Sequence, residues 1–217
     1  MMHPSTEPRW VNEVVGLGVY ATKPIAKGSI TYALDPLELI LAPHNKLLED
    51  VQIAQMVEKY SYVDNSGRYI LSWDHAKYVN HSCSANSMST GYGFEIALRD
   101  IDVGEQITDE YGLFNMFYNL KCACGSSNCR GTIKKDDMMT FSKIWDEQVK
   151  EVLSQIKVPE QPLWNFLSDK TKQQLENYLT TGKSYKSVNN LHLKKKVFNS
   201  YTPHAESNVL QLNLANV

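Results

Sequence analysis

The sequence has little of what marks a secreted, membrane-spanning or nucleic-acid-binding protein. It contains only four cysteines in 217 residues, and no apolar run approaches the roughly 20 residues that cross a bilayer. Its first residues, MMHPSTEPRWVNE, lack the basic start and apolar stretch of a secretory signal. The 22 Lys and Arg residues are balanced by 24 Asp and Glu residues, so no large basic face is indicated. We therefore expect an intracellular, cytoplasmic protein that binds neither membranes nor nucleic acids directly.

What is present is the composition of a globular protein with a mostly β core. Hydrophobic residues make up 42% of the chain, enough for one domain with an appendage or for two small domains. Residues 10–42, the runs YSYVD and RYILSW around Asn65-Ser66-Gly67, and then FEIALRDI and EQITDEYG predict short strands. KLLEDVQIAQMVEKY predicts one inserted helix of three to four turns. Many short strands with one helix favour this architecture over a βαβ sheet.

The chain after Lys135 has a helical pattern. The segment DDMMTFSKIWDEQVKEVLSQIK places apolar residues in a stripe formed by Met139, Ile144, Trp145, Val149, Val152 and Ile156. Pro159 and Pro162 interrupt it, and a second helix is predicted from Ser168 or Asp169 to a stop at Gly182. The LKKK run at 193–196 resembles a targeting signal, but a solvated helix face is the favoured interpretation.

The four cysteines fit a single metal site. KCACGSSNCRG supplies Cys122, Cys124 and Cys129 in one turn-rich loop, and Cys83 is the only other cysteine. Tetrahedral zinc takes four ligands and favours thiolates, so a four-cysteine site is the economical arrangement, and it would clamp the loop over the Asn-His-Ser-Cys segment. Two alternatives remain open. Cys83 is an ordinary buried thiol and His81 or another histidine completes the site, or the loop is a nucleic-acid-binding zinc knuckle, which the charge balance disfavours.

Four motifs in order give the sequence a resemblance to a known family. GLGVYA (16–21), YVNHSCSAN (78–86), GEQITDEYG (104–112) and CACGSSNCRG (122–131) resemble the SET-domain protein lysine methyltransferases that carry a cysteine-rich post-SET segment. The resemblance covers roughly residues 10–133. It implies a SET domain at 10–117 with a pseudoknot, a post-SET zinc segment at 118–135, and a helical extension at 136–217 outside the resemblance. The expected fold is mostly β with helical additions (α+β). We expect the extension to pack on the SET domain, to form a homo-oligomer or to recognise substrate.

The resemblance also implies a cofactor and a set of roles. The cofactor is S-adenosylmethionine, and one structural zinc ion takes the cysteine of the Asn-His-Ser-Cys motif as its fourth ligand. Tyr111 matches the catalytic tyrosine and also contacts the cofactor. The other residues implied in cofactor binding are Gly16, Leu17, Gly18, Tyr78, Asn80 and His81. Singly, each has a plainer interpretation as a hairpin glycine, a turn residue, a core histidine or a packed tyrosine; their order along the chain favours the functional one.

One position departs from the family pattern. Asp109 stands where well-known relatives carry Phe or Tyr, at a position that influences how many methyl groups are added. A carboxylate there stabilises the substrate ammonium, anchors a water that receives the proton, or points away from the channel as an exposed strand-end residue. Tyr62 is expected in the channel wall. Trp73 and Phe114 either line the site or belong to the core.

The sequence therefore predicts methyl transfer from S-adenosylmethionine to a lysine of a protein substrate. The alternative is a SET-fold peptide-binding or scaffold module that has lost turnover, which Asp109 favours and the intact Tyr111 and Asn80 disfavour. The protein is expected in the nucleus if its substrate is chromatin. The substrate and the number of methyl groups transferred stay open.

Overall fold

The structure, a computed structural model, describes residues 1–156 and 160–194. Pro159 and the end of the lysine run at 193–196 lie outside these residues, as does the rest of the predicted extension from residue 195. The strands in the described part are β1 (Thr6–Asn12), β2 (Gly16–Ala21), β3 (Ile30–Ala33), β4 (Leu39–Leu41), β5 (Ser61–Val63), β6 (Tyr69–Leu71), β7 (Asn80–His81), β8 (Ser87–Ser89), β9 (Phe94–Ala97), β10 (Gln106–Asp109), β11 (Leu120–Lys121) and β12 (Thr132–Ile133). The α-helices there are α1 (Val51–Tyr60), α2 (Asp137–Leu153) and α3 (Asp169–Thr181).

The strands form four small sheets. One sheet has the order β1-β2-β10-β7, two three-stranded sheets have the orders β3-β9-β8 and β4-β6-β5, and β11 pairs with β12. All pairings are antiparallel except that of β10 with β7. The predicted hairpin around Asn65-Ser66-Gly67 is confirmed, since β5 pairs with β6 across it. The predicted architecture, mostly β with helical additions, is also confirmed.

The inserted helix begins later than its apolar pattern predicts. The carboxylate of Asp50 accepts hydrogen bonds from the backbone N–H groups of Gln52 and Ile53 at 2.9 and 3.0 Å, which caps α1 at Val51. Residues 46–49 form a separate 3₁₀ turn. The prediction of one continuous helix was therefore wrong at its start, because a capping aspartate in mid-pattern ends one turn and opens the next.

The extension shares the core of the β sheets. One buried cluster joins β-sheet residues to residues beyond 135, namely Ile30, Ala33, Met88, Tyr92, Phe94, Ile96 and Leu113 with Met138, Trp145, Val149, Val152, Leu153, Leu163, Leu167, Leu175 and Val188. Two members of the predicted α2 stripe, Met139 and Ile144, are instead 72% and 59% exposed. Both lie roughly 100° or more around the helix axis from Trp145, so the apolar face inferred from the sequence was too wide.

Close backbone packing fixes the extension against the sheets. A Cβ atom on Gly91 would lie 2.2 Å from the carbonyl oxygen of Ser187 and 2.3 Å from that of Lys186. The segment before the final 3₁₀ turn can therefore approach only because residue 91 has no side chain. None of the helices in residues 1–156 and 160–194 has the length and apolar character needed to span a membrane.

Leu153→Ala tests whether the extension and the sheets unfold together. Leu153 is fully buried in the shared cluster, so we expect the free energy of unfolding to fall by about 2–5 kcal/mol within a single cooperative transition. Denaturant unfolding followed by circular dichroism measures this. Leu47→Ala, at a residue that is 50% exposed, is the control and should have a much smaller effect. A second, separate transition in the variant would contradict the shared core.

Candidate active site and metal centre

A parallel strand pair brings two of the motifs together. Thr108 lies opposite Asn80 and Asp109 opposite His81 in the pairing of β10 with β7. The buried side chain of Asn86 supports the pair, because its oxygen accepts from Thr108 N–H at 2.9 Å and its nitrogen donates to the carbonyl of Gln106 at 2.9 Å. The segment around Asn80 to Cys83 is thereby held against the segment that ends in Tyr111.

The Gly16-Leu17-Gly18 stretch joins the same edge. Asn80 Nδ2 donates to the carbonyl oxygen of Leu17 at 3.0 Å. A Cβ atom on Gly18 would lie 2.4 Å from Gln106 Nε2 and 3.0 Å from Asn80 Nδ2, so a side chain there would displace the side chains of Gln106 and Asn80. Tyr78 ends the 3₁₀ turn before β7 and its ring meets that of Tyr60 edge-on, with centroids 5.8 Å apart. The backbone of residues 16–18 and the side chain of Asn80 thus lie side by side.

Tyr111 and His81 are also in contact. The backbone N–H of Tyr111 donates to His81 Nδ1 at 3.2 Å, and the Tyr111 hydroxyl donates to the carbonyl oxygen of Val79 at 2.7 Å. Burial raises the pKa of Tyr111, and the nearby Asp109 and Glu95 raise it further. The phenol is therefore neutral at pH 7 and acts as a hydrogen-bond donor.

Two cavities meet beside Tyr111. One has a volume of about 220 Å³ and contacts Val79, Asp109 and Tyr111; the other, of about 190 Å³, opens near Arg68 and Ser89. The side chains that line both cavities include Tyr32, Tyr62, Glu95 and Phe114. Tyr62 thus lines both cavities, and its place in a substrate channel stays a prediction.

Phe114 and Trp73, whose roles the sequence left open, have different surroundings in the structure. Phe114 lines the cavities, and its ring packs on those of Tyr62 and Tyr111, with centroids 5.6 and 5.2 Å apart. Trp73 is 48% exposed, and its indole nitrogen donates to the carboxylate of Asp35. Phe114 therefore lines the cavities beside Tyr111, whereas Trp73 forms a hydrogen bond with Asp35.

Asp109 points into the first cavity. It is 1% exposed, which excludes the interpretation as an exposed strand-end residue. Its carboxyl accepts from the backbone N–H of Glu110 at 2.7 Å and from the hydroxyl of Ser89 at 3.4 Å, and the carboxyl of Glu95 lies close enough for each group to influence the ionisation of the other. Burial raises the pKa of Asp109 to about 6. Burial, reinforced by Asp109, raises the pKa of Glu95 well above its ordinary value.

Glu95 was missed in the sequence, although a signal was present. It is the single charged residue of β9, whose other members are buried and apolar. A lone carboxylate in an apolar strand indicates a built interior position, but the sequence does not show which residue it meets. The partner, Asp109, belongs to a different sheet.

A buried ion pair links this site to the cysteine loop and to α2. Arg130 donates to both carboxylate oxygens of Glu110 at 2.6 and 2.7 Å. Glu110 is 2% exposed and also accepts from the backbone N–H of Gly112 at 2.8 Å. The guanidinium lies 5.1 Å from the ring centroid of Phe141 and 6.0 Å from that of Trp145. Arg130, next to Cys129, therefore holds the loop to the segment that carries Tyr111.

All four cysteines converge. The sulfur of Cys122 lies 3.8 Å from that of Cys83 and 3.6 Å from that of Cys129. These distances match the edge of roughly 3.8 Å in a tetrahedron of thiolates 2.3 Å from a zinc ion. Backbone N–H groups also donate to three of the sulfurs, those of Cys83, Cys124 and Cys129, at 3.4 Å each. Donors of this kind suit thiolates, so the cluster is compatible with a metal site.

The geometry is compatible with two sets of four metal ligands, one that includes His81 and one that includes Cys129. His81, Cys83, Cys122 and Cys124 have ligand atoms that all lie within 4.8 Å of one another, and His81 Nε2 is 3.3 Å from the Cys83 sulfur. Cys129 is outside that group although it touches Cys122. The alternative of a histidine as fourth ligand therefore stays alongside the four-cysteine set.

Comparison with known proteins assigns the region that holds these residues. A family model described as "SET domain" matches residues 16–112. The chain is 36% identical over 100 residues to a variant-silencing SET domain-containing protein of Plasmodium falciparum, which is 42% of this chain and 4% of that protein. It is 29% identical over 148 residues to methyltransferase flvH of Aspergillus flavus, covering 61% and 82%. It is 30% identical over 122 residues to the histone-lysine N-methyltransferase SET9 of Gibberella zeae, covering 54% and 18%.

Solved structures give distant matches. A crystal structure of KRYPTONITE in complex with mCHG DNA and SAH aligns at 19% identity and a TM-score of 0.43, covering 59% of this chain and 28% of that one. The methyltransferase domain of human SETMAR aligns at 14% identity and a TM-score of 0.41, covering 61% and 58%.

Asp109→Asn tests the burial of this carboxyl by the pH dependence of stability. An Asp pKa of about 6 in the folded state lies above the ordinary value near 3.9, so the folded state holds the proton more tightly and wild-type stability falls as pH rises between those values. Between pH 4 and pH 8, we expect the free energy of unfolding of the variant to fall by about 1–3 kcal/mol less than that of wild type. The variant keeps an acceptor for the Glu110 N–H. Urea unfolding at both pH values measures this. Asp102→Asn, at an exposed residue, should behave like wild type, and an identical pH dependence in the Asp109 variant would contradict the assignment.

Proposed function

Because residues 16–112 are a SET domain, we propose that this protein transfers a methyl group from S-adenosylmethionine to the side-chain amine of a lysine in a protein substrate. The observation that carries the proposal is the position of Tyr111. Its neutral hydroxyl is fixed on the Val79 carbonyl in the wall of a cavity, next to Asn80 and His81. The similarity to SET9 of Gibberella zeae, which is named as a histone-lysine N-methyltransferase, supports a lysine acceptor.

The residues that would hold the cofactor fit that role. Leu17, between Gly16 and Gly18 in β2, accepts a hydrogen bond from Asn80 in β7, and His81 accepts one from the backbone N–H of Tyr111. Tyr78 lies in the 3₁₀ turn just before β7. Because Gly18 has no side chain, main-chain groups lie close to Asn80, where a ligand can reach them. When bound, S-adenosylmethionine supplies an electrophilic methyl group on a sulfonium.

The chain's own residues must supply a neutral, aimed amine. A lysine with a pKa of about 10.4 is neutral only about once in 2,500 at pH 7, and removal from water lowers that pKa. Tyr62 and Phe114 provide aromatic walls that exclude water. The Tyr111 hydroxyl, held by Val79, keeps its lone pairs free to orient the amine. Most of the rate enhancement then comes from alignment.

The alternative is a scaffold that keeps the fold without turnover. The buried carboxyl of Asp109 favours it, because a negative charge beside an ammonium stabilises the protonated, unreactive form. A direct assay of methyl transfer separates the two functions.

We expect Tyr111→Phe to abolish most methyl transfer while leaving cofactor binding intact. The measurement is transfer of isotopically labelled methyl from S-adenosylmethionine to proteins of a host-cell lysate, with cofactor affinity determined in parallel. Wild type should label a discrete band, and the variant should label it at least about 100-fold more slowly, since the aiming hydroxyl is lost. Tyr20→Phe, on β2 outside the cavities, is the matched control. Folded wild type that binds the cofactor but labels nothing would favour the scaffold.

We further propose that Cys83, Cys122, Cys124 and Cys129 bind one structural zinc ion. The contact of Cys129 with Cys122, and the N–H group that Gly131 donates to Cys129, support the four-cysteine set. Zinc held there would tie the loop to the segment of Asn80 and His81, and so close the cofactor edge. His81 then acts as a neighbour of the thiolates.

Metal analysis of three variants tests the ligand set. Wild type should contain about one zinc ion per chain, and both Cys83→Ser and Cys129→Ser should lower that content because each removes a thiolate. His81→Gln is the control and should retain the metal. If His81→Gln loses zinc and Cys129→Ser retains it fully, the fourth zinc ligand is His81 and the four-cysteine proposal is wrong.

A further inference from the structure

Glu95 and Asp109 form an acid pair at the junction of the two cavities. Glu95 lines both cavities, and Asp109 lines the one that contains Tyr111. Tyr32 lies opposite Glu95 in the pairing of β3 with β9 and also faces both cavities. The pair therefore stands where the two spaces meet, next to the hydroxyl that is proposed to aim the amine.

The pair lacks the cation that other buried carboxylates have. Asp35 and Glu38 contact the amino group of Met1 at 2.7 and 3.2 Å, and Glu110 contacts Arg130 at 2.6 Å. Within residues 1–156 and 160–194, neither Glu95 nor Asp109 takes part in an ion pair. This part of the fold thus places a buried carboxyl, Asp109, beside a half-buried one, Glu95, without an ion-pair partner for either.

Two neighbouring carboxyl groups cannot both ionise readily: burial and the nearby Asp109 raise the pKa of Glu95, and burial raises that of Asp109, so the pair retains a proton to a higher pH than an exposed carboxyl does. The other ionisable groups that face it are Tyr32, Tyr62, Tyr111, Glu110 and the amino group of Met1. Burial raises the pKa of the three tyrosines, so they stay neutral, and Glu110 is already paired with Arg130. An isolated negative charge away from water is costly unless a cation joins it.

We infer that Glu95 and Asp109 bind the acceptor amine as an ammonium ion and take up its proton before methyl transfer. This inference rests on the proposed function, and it names the acceptor's chemical class as an amine that is cationic at neutral pH. The cavities supply the room for it, and the tyrosine hydroxyls add neutral hydrogen-bonding partners around its nitrogen.

The step balances as follows. An N–H bond of the ammonium breaks, and its proton passes to the ionised oxygen of the pair, which becomes fully protonated and neutral. The freed nitrogen lone pair forms a bond to the sulfonium methyl carbon, and the carbon–sulfur bond electrons go to sulfur. The product is a methylammonium ion and a neutral thioether, and the pair then returns its extra proton to water. Transfer between buried groups is favoured because it replaces an ion pair with two neutral partners.

Two measurements test the pair without requiring turnover. Infrared spectroscopy at pH 7 should show the carbonyl stretch of a buried protonated carboxyl in wild type and in the exposed control Glu147→Gln, and should not show it in Glu95→Gln/Asp109→Asn. The probe n-butylammonium chloride should bind wild type at least about tenfold more tightly than it binds the double variant, whereas the neutral probe 1-butanol should not distinguish them. If the double variant does not fold, Glu95→Gln and Asp109→Asn are measured singly in both experiments.

Methyl-transfer rates then test the proton-accepting role. In the labelled-lysate assay, Glu95→Gln and Asp109→Asn should each slow transfer by on the order of 100-fold with cofactor affinity unchanged, and Glu147→Gln should match wild type. For wild type the rate should fall as pH drops below the ionisation of the pair, and this acid limb should be altered in both variants.

Three results would overturn the inference: no protonated-carboxyl band in wild type, equal binding of n-butylammonium by wild type and variant, or wild-type transfer rates in both single variants. Failure of the proposed function has a different signature. In that case wild type transfers no label to any lysate protein, while the infrared band and the preference for the cationic probe are unaffected.

Discussion

The pairing of β7 with β10 brings together the two motif segments that the proposed chemistry uses. Two residues from each strand are enough to place Asn80 and His81 beside Asp109, with Tyr111 following directly. A pairing this short has few backbone hydrogen bonds of its own, and Asn86 adds to it from the side by contacting the backbone at both Gln106 and Thr108. The site depends on a buried amide that takes no part in catalysis.

Around that pairing, the molecule uses charge in two opposite ways. Glu110 is buried but matched by the planar guanidinium of Arg130, which also lies against the rings of Phe141 and Trp145. One position earlier in the chain, Asp109 is buried with another carboxyl and without a cation. Glu110 therefore stabilises the contact with the cysteine loop and α2, whereas Asp109 lines the first cavity.

The fold and the cysteine cluster could be predicted from the sequence, because short motifs in a fixed order indicate both. Four motifs in family order indicated the SET-type α+β fold, and the spacing of Cys122, Cys124 and Cys129 indicated a cluster that needed Cys83. The start of α1 and the buried face of α2 were misjudged by a few residues, because Asp50 caps in mid-pattern and Met139 and Ile144 lie beyond the packed face.

Glu95 and Arg130 could not be assigned in advance. Their partners, Asp109 and Glu110, are 14 and 20 residues away and reach them only through sheet topology, which periodicity does not specify.

Arg130 has a consequence for how the parts of the molecule depend on one another. It directly follows Cys129, and its guanidinium is the partner of Glu110, which directly precedes Tyr111. A loop that shifts by a few ångströms would withdraw this cation and leave a carboxylate alone in the interior beside the site. A displacement of the cysteine loop would therefore change the electrostatic surroundings of the residue next to Tyr111.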